Sequence, residues 1–418
     1  MAHYGRLKAA CYTSNISMAV VGNLPPVLFL TFREMYGISY SLLGLLVLIN
    51  FVTQLVVDLI FSFFSHRFNL SRVVKLTPVL TVIGLLVYIL LPMLLAEHVY
   101  LCLVLGTLIF SASAGLVEVL ISPVIAAIPA ENPDREMSKL HSVYAWGVVG
   151  VISVATIYIL CFGRENWQWL MLGMTAIPLA SVILFYGAKI PSMETPKQAA
   201  GVLKQLRNKV LWTSVLAIFL GGAAECTMAQ WASGYLEMSM GIDKVWGDLF
   251  GVVAFALMLG LGRTLYAKKG KRIGSILVLG AIGATLCYLV AALTPFPVLG
   301  LLACGITGLC VSMLWPGNLI AAAERIPAGG VLMYAMMAAG GDLGASVGPQ
   351  LVGTLTDFAM ENQVLLDMAY SLRMTAEQFG MRMGILVGAI FPLLAIPLYL
   401  YIRKATDKRI CKNETTVG

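Results

Sequence analysis

Residues 99–128, VYLCLVLGTLIFSASAGLVEVLISPVIAAI, run for thirty positions with one Asp, Glu, Lys or Arg among them, Glu118. A helix that crosses the hydrocarbon core of a bilayer needs ~20 mostly apolar residues, so this stretch reads as a membrane span. Composition points the same way. Over 418 residues, 59% are hydrophobic and 12% charged, about half the ~25% charged residues of soluble globular chains. So little charge cannot cover a water-soluble surface, and the same figures exclude a disordered chain. The formal charge of +7 does not imply nucleic-acid binding, because the basic residues are spread over several short connections.

Outward from that stretch, similar runs recur at 10–32, 41–64, 73–95, 139–161 and 168–189, and after a polar connection at 210–236, 245–267, 273–293, 297–323, 330–357 and 380–402. The expectation is an all-α integral membrane protein of twelve transmembrane helices in two six-helix pseudo-repeats. An N-terminal bundle (1–190), a connecting loop (191–209) and a C-terminal bundle with a short tail (210–418) make up the chain. Runs this continuous exclude a transmembrane barrel. All but five of the 28 Lys and Arg (Arg33, Arg164, Lys244, Arg373 and Arg382) fall on the side that carries both termini. By the positive-inside rule that side is cytoplasmic, and a multi-pass protein of the inner cell membrane is expected. The start, MAHYGRLKAACYTSN, shows no h-region with a small-residue cleavage site, so no removable signal peptide is expected.

The halves share a fingerprint. Gly115-Leu116 followed by Pro123 is matched by Gly308-Leu309 followed by Pro316, and the basic connection SHRFNLSR by AKKGKR. The eight Cys contain no C-x-x-C pair and mostly lie in apolar runs, so neither a disulfide framework nor a metal site is expected. No nucleophile–base pattern, P-loop or zinc spacing is present, so the chain is not expected to be an enzyme and needs no cofactor. Asn413-Glu-Thr fits the glycosylation triplet but falls on the side assigned to the cytoplasm.

Ionisable groups at mid-span are costly, and each is by default a functional candidate. Glu118 has no basic residue near it in sequence; desolvation disfavours its charged form, which suits a group that takes up and releases a proton. Glu225 and Asp342 are further candidates for proton coupling. Asn50, Gln54 and Asp58 stand four apart, one stripe on a helix. Asn50 and Gln54 are candidates for substrate contact; Asp58, nearer the cytoplasmic end, is assigned with Arg67 and Arg263 to gating. Arg263 lies close enough to the edge to snorkel. Glu225, Gln230 and Trp231 offer carboxylate, amide and a flat apolar plate, a combination that suits a sugar, although Trp231 also fits an interfacial belt. Asn23, His141, Trp146, Trp315 and Asn318 complete the substrate candidates; a lone His near a helix start is more often structural.

These residues resemble the fucose:proton symporter branch of the major facilitator superfamily. Gly115-Leu-Val-Glu118-Val-Leu-Ile-Ser122-Pro123 is similar to that branch's fourth-helix motif, and Gly308-Leu-Cys-Val-Ser312-Met-Leu-Trp315-Pro316 to its tenth-helix motif. Lys139-Leu140-His141 with Ala145-Trp146-Gly147 resembles its fifth helix, and Leu261-Gly262-Arg263 its eighth. The resemblance implies two six-helix bundles with a binding site between them, and it makes Glu118 the proton-coupling acid. Two departures stand out. The branch's first-helix Asn-Asn-Leu-Asn-Asp is here Gly22-Asn23-Leu24-Pro25-Pro26, without an acid, and the superfamily's loop Asp is replaced by His66. Coupling then falls on Glu118 with Glu225 or Asp342.

The function expected is proton-coupled uptake of a small hydrophilic solute, a monosaccharide before others, by alternating access. Efflux of amphipathic compounds, sugar uniport, Na⁺ coupling and a non-transporting sensor are the alternatives. The partners expected are a sugar, H⁺ and the lipid bilayer, with no nucleic acid, and a monomer suffices.

Overall fold

The computed structural model describes residues 4–64, 67–129, 133–191, 207–269, 272–326 and 330–417. Among these, every regular element is helical. Ten helices are long and apolar enough to cross a membrane, and a bent pair adds an eleventh. The twelfth expected span, 330–357, falls on a 32-residue helix, Gly330–Glu361. The bent pair is α1 (Gly5–Val27) and α2 (Phe29–Tyr36), which meet at 48°. Pro25 and Pro26 lie in the last turn of α1. Neither has an N–H to donate, and a proline ring crowds the preceding turn, so the helix bends at Leu28.

Contacts divide the chain into two compact units. One comprises Met1–Ser39 and Leu45–Ala199, the other Tyr40–Gly44 and Ala200–Gly418. The first is built from α1 and α2, α3 (Tyr40–Phe64) from Leu45 onward, α4 (Leu70–Leu94), α5 (Val99–Ala126), α6 (Pro133–Phe162), α7 (Trp167–Met174) and α8 (Ala176–Phe185). Its core at the end where α1 begins contains Leu7, Cys11, Val74, Leu120, Val124 and Phe185. At the other end Phe32, Tyr36 and Tyr88 surround Trp167; the Phe32 and Trp167 rings meet edge to face at 5.0 Å. The indole N–H of Trp167 donates to the Tyr36 hydroxyl at 3.1 Å, so the ring is buried with its polar edge satisfied.

The second unit contains α9 (Lys209–Met240), α10 (Ala254–Lys269), α11 (Ile273–Leu293), α12 (Pro297–Val311), α13 (Pro316–Arg325), α14 (Gly330–Glu361), α15 (Gln363–Ser371), α16 (Ala376–Gly388) and α17 (Ile390–Val417). Its buried aromatics are tied to backbone carbonyls, the Tyr288 hydroxyl to Ala224 at 2.8 Å and the Tyr235 hydroxyl to Ala291. On α11 Leu279, Leu286 and Leu293, seven apart, are 68, 58 and 64% exposed. Exposed apolar side chains along one helix face are what a lipid-facing surface requires.

The shared fingerprint has a packing cause in each unit. A Cβ on Gly115 of α5 would lie 3.1 Å from the Gln54 Cα of α3, and one on Gly308 of α12 would lie 2.1 Å from the Phe255 carbonyl oxygen of α10. Each glycine is the point where two spans touch backbone to backbone, the role small residues play between membrane helices.

Candidate proton and solute sites

In the first unit the polar stripe of α3 seats in register on α5. The Ser111 hydroxyl donates to Asn50 Oδ1 at 2.6 Å. One turn on, Gln54 abuts Gly115. A further turn on, Asp58 and Glu118 bring carboxylate oxygens within 4.8 Å of each other. Asn50, Gln54 and Asp58 are 7, 5 and 4% exposed, whereas Glu118 is exposed. No described residue pairs with Glu118 through an ion pair or hydrogen bond. Two carboxylates this close ionise as a pair, not independently, so they can hold one proton between them.

In the second unit the charges are paired. Arg263 of α10 donates from Nη2 to both oxygens of Glu225, at 3.1 and 3.4 Å, and from Nε to the Ser312 carbonyl at 3.1 Å. Glu225 sits midway along α9. Ser312 begins the break between α12 and α13. Its carbonyl lacks a helical donor because the residue four further on is Pro316, which has no N–H. Arg263 fills that vacancy, and the sequence that breaks the helix thus creates its anchor. The guanidinium therefore reaches into the span instead of snorkelling out, and its side chain is 39% exposed against 14% for Glu225. Trp315, half-buried, lies in a notch made by Gly222 and Gly341: a Cβ at either would come within 3.0 Å of its ring. Gly222 is one turn from Glu225 on α9. The Cys226 thiol is within electrostatic reach of Glu225, Arg263 and Asp342, and Asp342 is 3% exposed.

Other candidates are placed differently. Trp231 is 1% exposed; its indole N–H donates to the Pro349 carbonyl at 2.8 Å, and its ring faces Tyr40 at 5.9 Å. Such a ring offers no open plate. Gln230 beside it is buried. Asn318 is 2% exposed; its amide donates to the Ala217 carbonyl, to Leu314 in the preceding turn, and to the Tyr399 hydroxyl. Asn23 is half-buried and donates to the Ala19 carbonyl one turn back. Trp146 is 68% exposed, on a stripe of α6 continued by Val154, Ile157 and Leu160, which is an outward apolar face. Arg67 is exposed and its guanidinium lies 5.4 Å from the centre of the Phe64 ring. The His141 side chain and His66 lie outside the described residues. Sequence reading gave Ser111 no role and met Ser312 only inside the tenth-helix motif, since a single hydroxyl or carbonyl carries no spacing signal of its own.

A family model described as Major Facilitator Superfamily matches residues 10–349. Comparison with curated proteins finds no match at the level of sequence. Among solved structures, a bacterial homologue of the human lysosomal transporter Spinster, inward-facing and unoccupied, superposes with a TM-score of 0.74, at 14% identity and covering 97% of each chain. The D-xylose–proton symporter matches with 0.69 at 14% identity, over 95% of this chain and 99% of the other. The fucose:proton symporter of E. coli matches with 0.62 at 13% identity, over 96% and 99%. At these identities the likeness is one of fold.

Proposed function

Because the chain belongs to the Major Facilitator Superfamily and is a transporter rather than an enzyme, we propose that it takes up a small hydrophilic solute, a monosaccharide first, together with protons. The observation that carries this reading is the pairing of Asp58 with Glu118. Two carboxylates at membrane depth, one exposed and without a basic partner, hold a negative charge that opposes movement through low dielectric. A proton taken up by the pair lowers that charge by one, and the return step waits for its release. Asp58 thus joins Glu118 as a proton-coupling residue rather than a gate. Glu225 and Asp342 are the acids of the second unit, and Asn50 and Gln54 order the stripe that positions Asp58. The fucose and xylose symporters named above share the fold and support sugar as the first solute to try. Alternating access, and a cytoplasmic position for both termini in the inner membrane, belong to the same proposal. Efflux of amphipathic compounds is the second reading, favoured by 21 Met in the chain, since flexible thioethers suit adaptable apolar pockets.

The test is internal pH in proteoliposomes with a trapped dye, while single sugars are added outside. Acidification by one sugar is expected in the wild type and is abolished in Glu118→Gln, while counterflow exchange of that sugar survives. Exchange without acidification makes the protein a uniporter or an Na⁺-linked carrier. No exchange of any sugar moves the efflux reading to the front.

A further inference from the structure

We infer that the solute carries an anionic group, a carboxylate or a phosphate, held by Arg263, and that Glu225 is the internal occupant this group displaces. The inference rests on the transport reading above and adds the chemical class of the solute. A guanidinium has five N–H donors in a planar array, and the described partners of Arg263 engage only its Nε and Nη2. Nη1 keeps both donors open, on a side chain 39% exposed at the depth of the α12–α13 break. Planar paired donors of this kind match carboxylate and phosphate oxygens. The guanidinium is also fixed in place, because its Nε is committed to a carbonyl that Pro316 leaves without a donor. Trp315 is seated on Gly222, one turn from Glu225 along α9.

The surroundings make anion entry depend on a proton. Among the described residues, Arg263 pairs with Glu225 on α9, and the neighbouring Cys226 lies within electrostatic reach of Glu225, Arg263 and Asp342 on α14. Two acids and one base leave no surplus of positive charge for an incoming anion. An anion on Arg263 drives off the Glu225 carboxylate, which is then left without its cation at mid-span, a costly state. Glu225 resolves this by taking up a proton from solution as the solute enters. One proton then accompanies each anionic group, beside the one that the Asp58–Glu118 pair carries with any solute, and release of the anion returns Glu225 to Arg263 as the proton leaves.

The experiment uses the full purified chain with glucose, glucuronate, glucose 6-phosphate, lactate and benzoate, read by counterflow exchange in proteoliposomes and by thermal stabilisation in detergent. Glucuronate or glucose 6-phosphate is expected to exchange at least about tenfold faster than glucose, and Arg263→Lys and Arg263→Gln to lose that advantage. Apparent affinity for the anion is expected to rise about tenfold per unit fall in pH in the wild type, the slope of one linked proton, and to be flat in Glu225→Gln. Glucose handled as well as the acids, with the ratio unchanged in Arg263→Gln, overturns the anion site and leaves proton-coupled sugar uptake standing. Stabilisation by lactate or benzoate that Arg263→Gln abolishes, with no sugar exchanged, keeps the anion site and overturns the monosaccharide reading. Silence toward every compound overturns both. Should the Arg263 variants fail to fold, Glu225→Gln decides alone: a pH slope equal to that of the wild type overturns the displacement.

Discussion

Lys8 of α1 and Lys139 of α6 each donate to Glu136 at 2.7 Å. Glu136 precedes the apolar stretch of α6, which begins at Ser142. The two ammonium groups hold its carboxyl down from the ordinary 4.5 to about 2. A carboxylate depressed by folding adds stability above its unfolded value and loses it as pH falls through its folded value. Glu136 therefore contributes fully above pH 4.5, and the contribution drains away toward pH 2. Glu136→Gln is expected to flatten the acid limb of a thermal-stability profile between those values. A limb as steep as that of the wild type would show that these lysines do not hold α1 to α6. Asn318 poses a different single-residue question. Its amide is spent on protein groups, and Tyr399 keeps a second acceptor in the Ala217 carbonyl at 3.1 Å. Asn318→Ala is expected to cost ~1–2 kcal/mol of stability and to leave solute selectivity unchanged. A changed solute preference without a drop in melting temperature would return Asn318 to the substrate.

Between elements, the equivalent glycines of the two units differ in tightness, and that difference is measurable. A methyl on Gly115 meets Gln54 at 3.1 Å, a contact small shifts relieve, whereas on Gly308 it meets the Phe255 carbonyl oxygen at 2.1 Å, and one backbone must move. Gly308→Ala is expected to destabilise by ~1–3 kcal/mol, the usual cost of overpacking, and Gly115→Ala by less; equal melting temperatures would contradict the packing. Both glycines were legible in the sequence as a repeat, as was the four-residue spacing of Asn50, Gln54 and Asp58, because periodicity within one helix is written in the chain. What meets that stripe was not. Asp58 read as a gate until α5 placed Glu118 beside it, since contact between helices depends on rotation and register that neither helix encodes alone. Arg263 misled for the same reason. Its distance from the span edge suggested snorkelling, and only the Pro316 break explains why it turns inward. Trp231 looked like a sugar plate because residue type cannot say which ring is already covered.

At the scale of the molecule, charge asymmetry sets the orientation proposed for all these sites. The five Lys and Arg opposite the termini are scattered singly; Arg164 pairs with Glu34 at 3.1 Å, Lys244 with Asp248 at 3.2 Å, and Arg382 donates to the Thr294 carbonyl at 2.8 Å. Lys and Arg resist translocation when they lie close to span ends, and paired acids offset them little. The terminal side carries its basic residues in clusters, including Arg67, Arg72 and Lys75 around the start of α4 and Arg403 and Lys404 where the last apolar span ends within α17. A reporter that works only in the cytoplasm is expected to be active after Gly418 and after Arg67. One that works only outside is expected to be active after Asn166 and after Arg373. Neutralising Arg67, Arg72 and Lys75 together is expected to leave the C-terminal reporter unchanged, because the clusters in the other connections still outweigh the opposite side. Reversal by that triple change alone would show that one early connection sets the topology, and activity of the outside reporter after Gly418 in the unaltered chain would overturn the orientation itself.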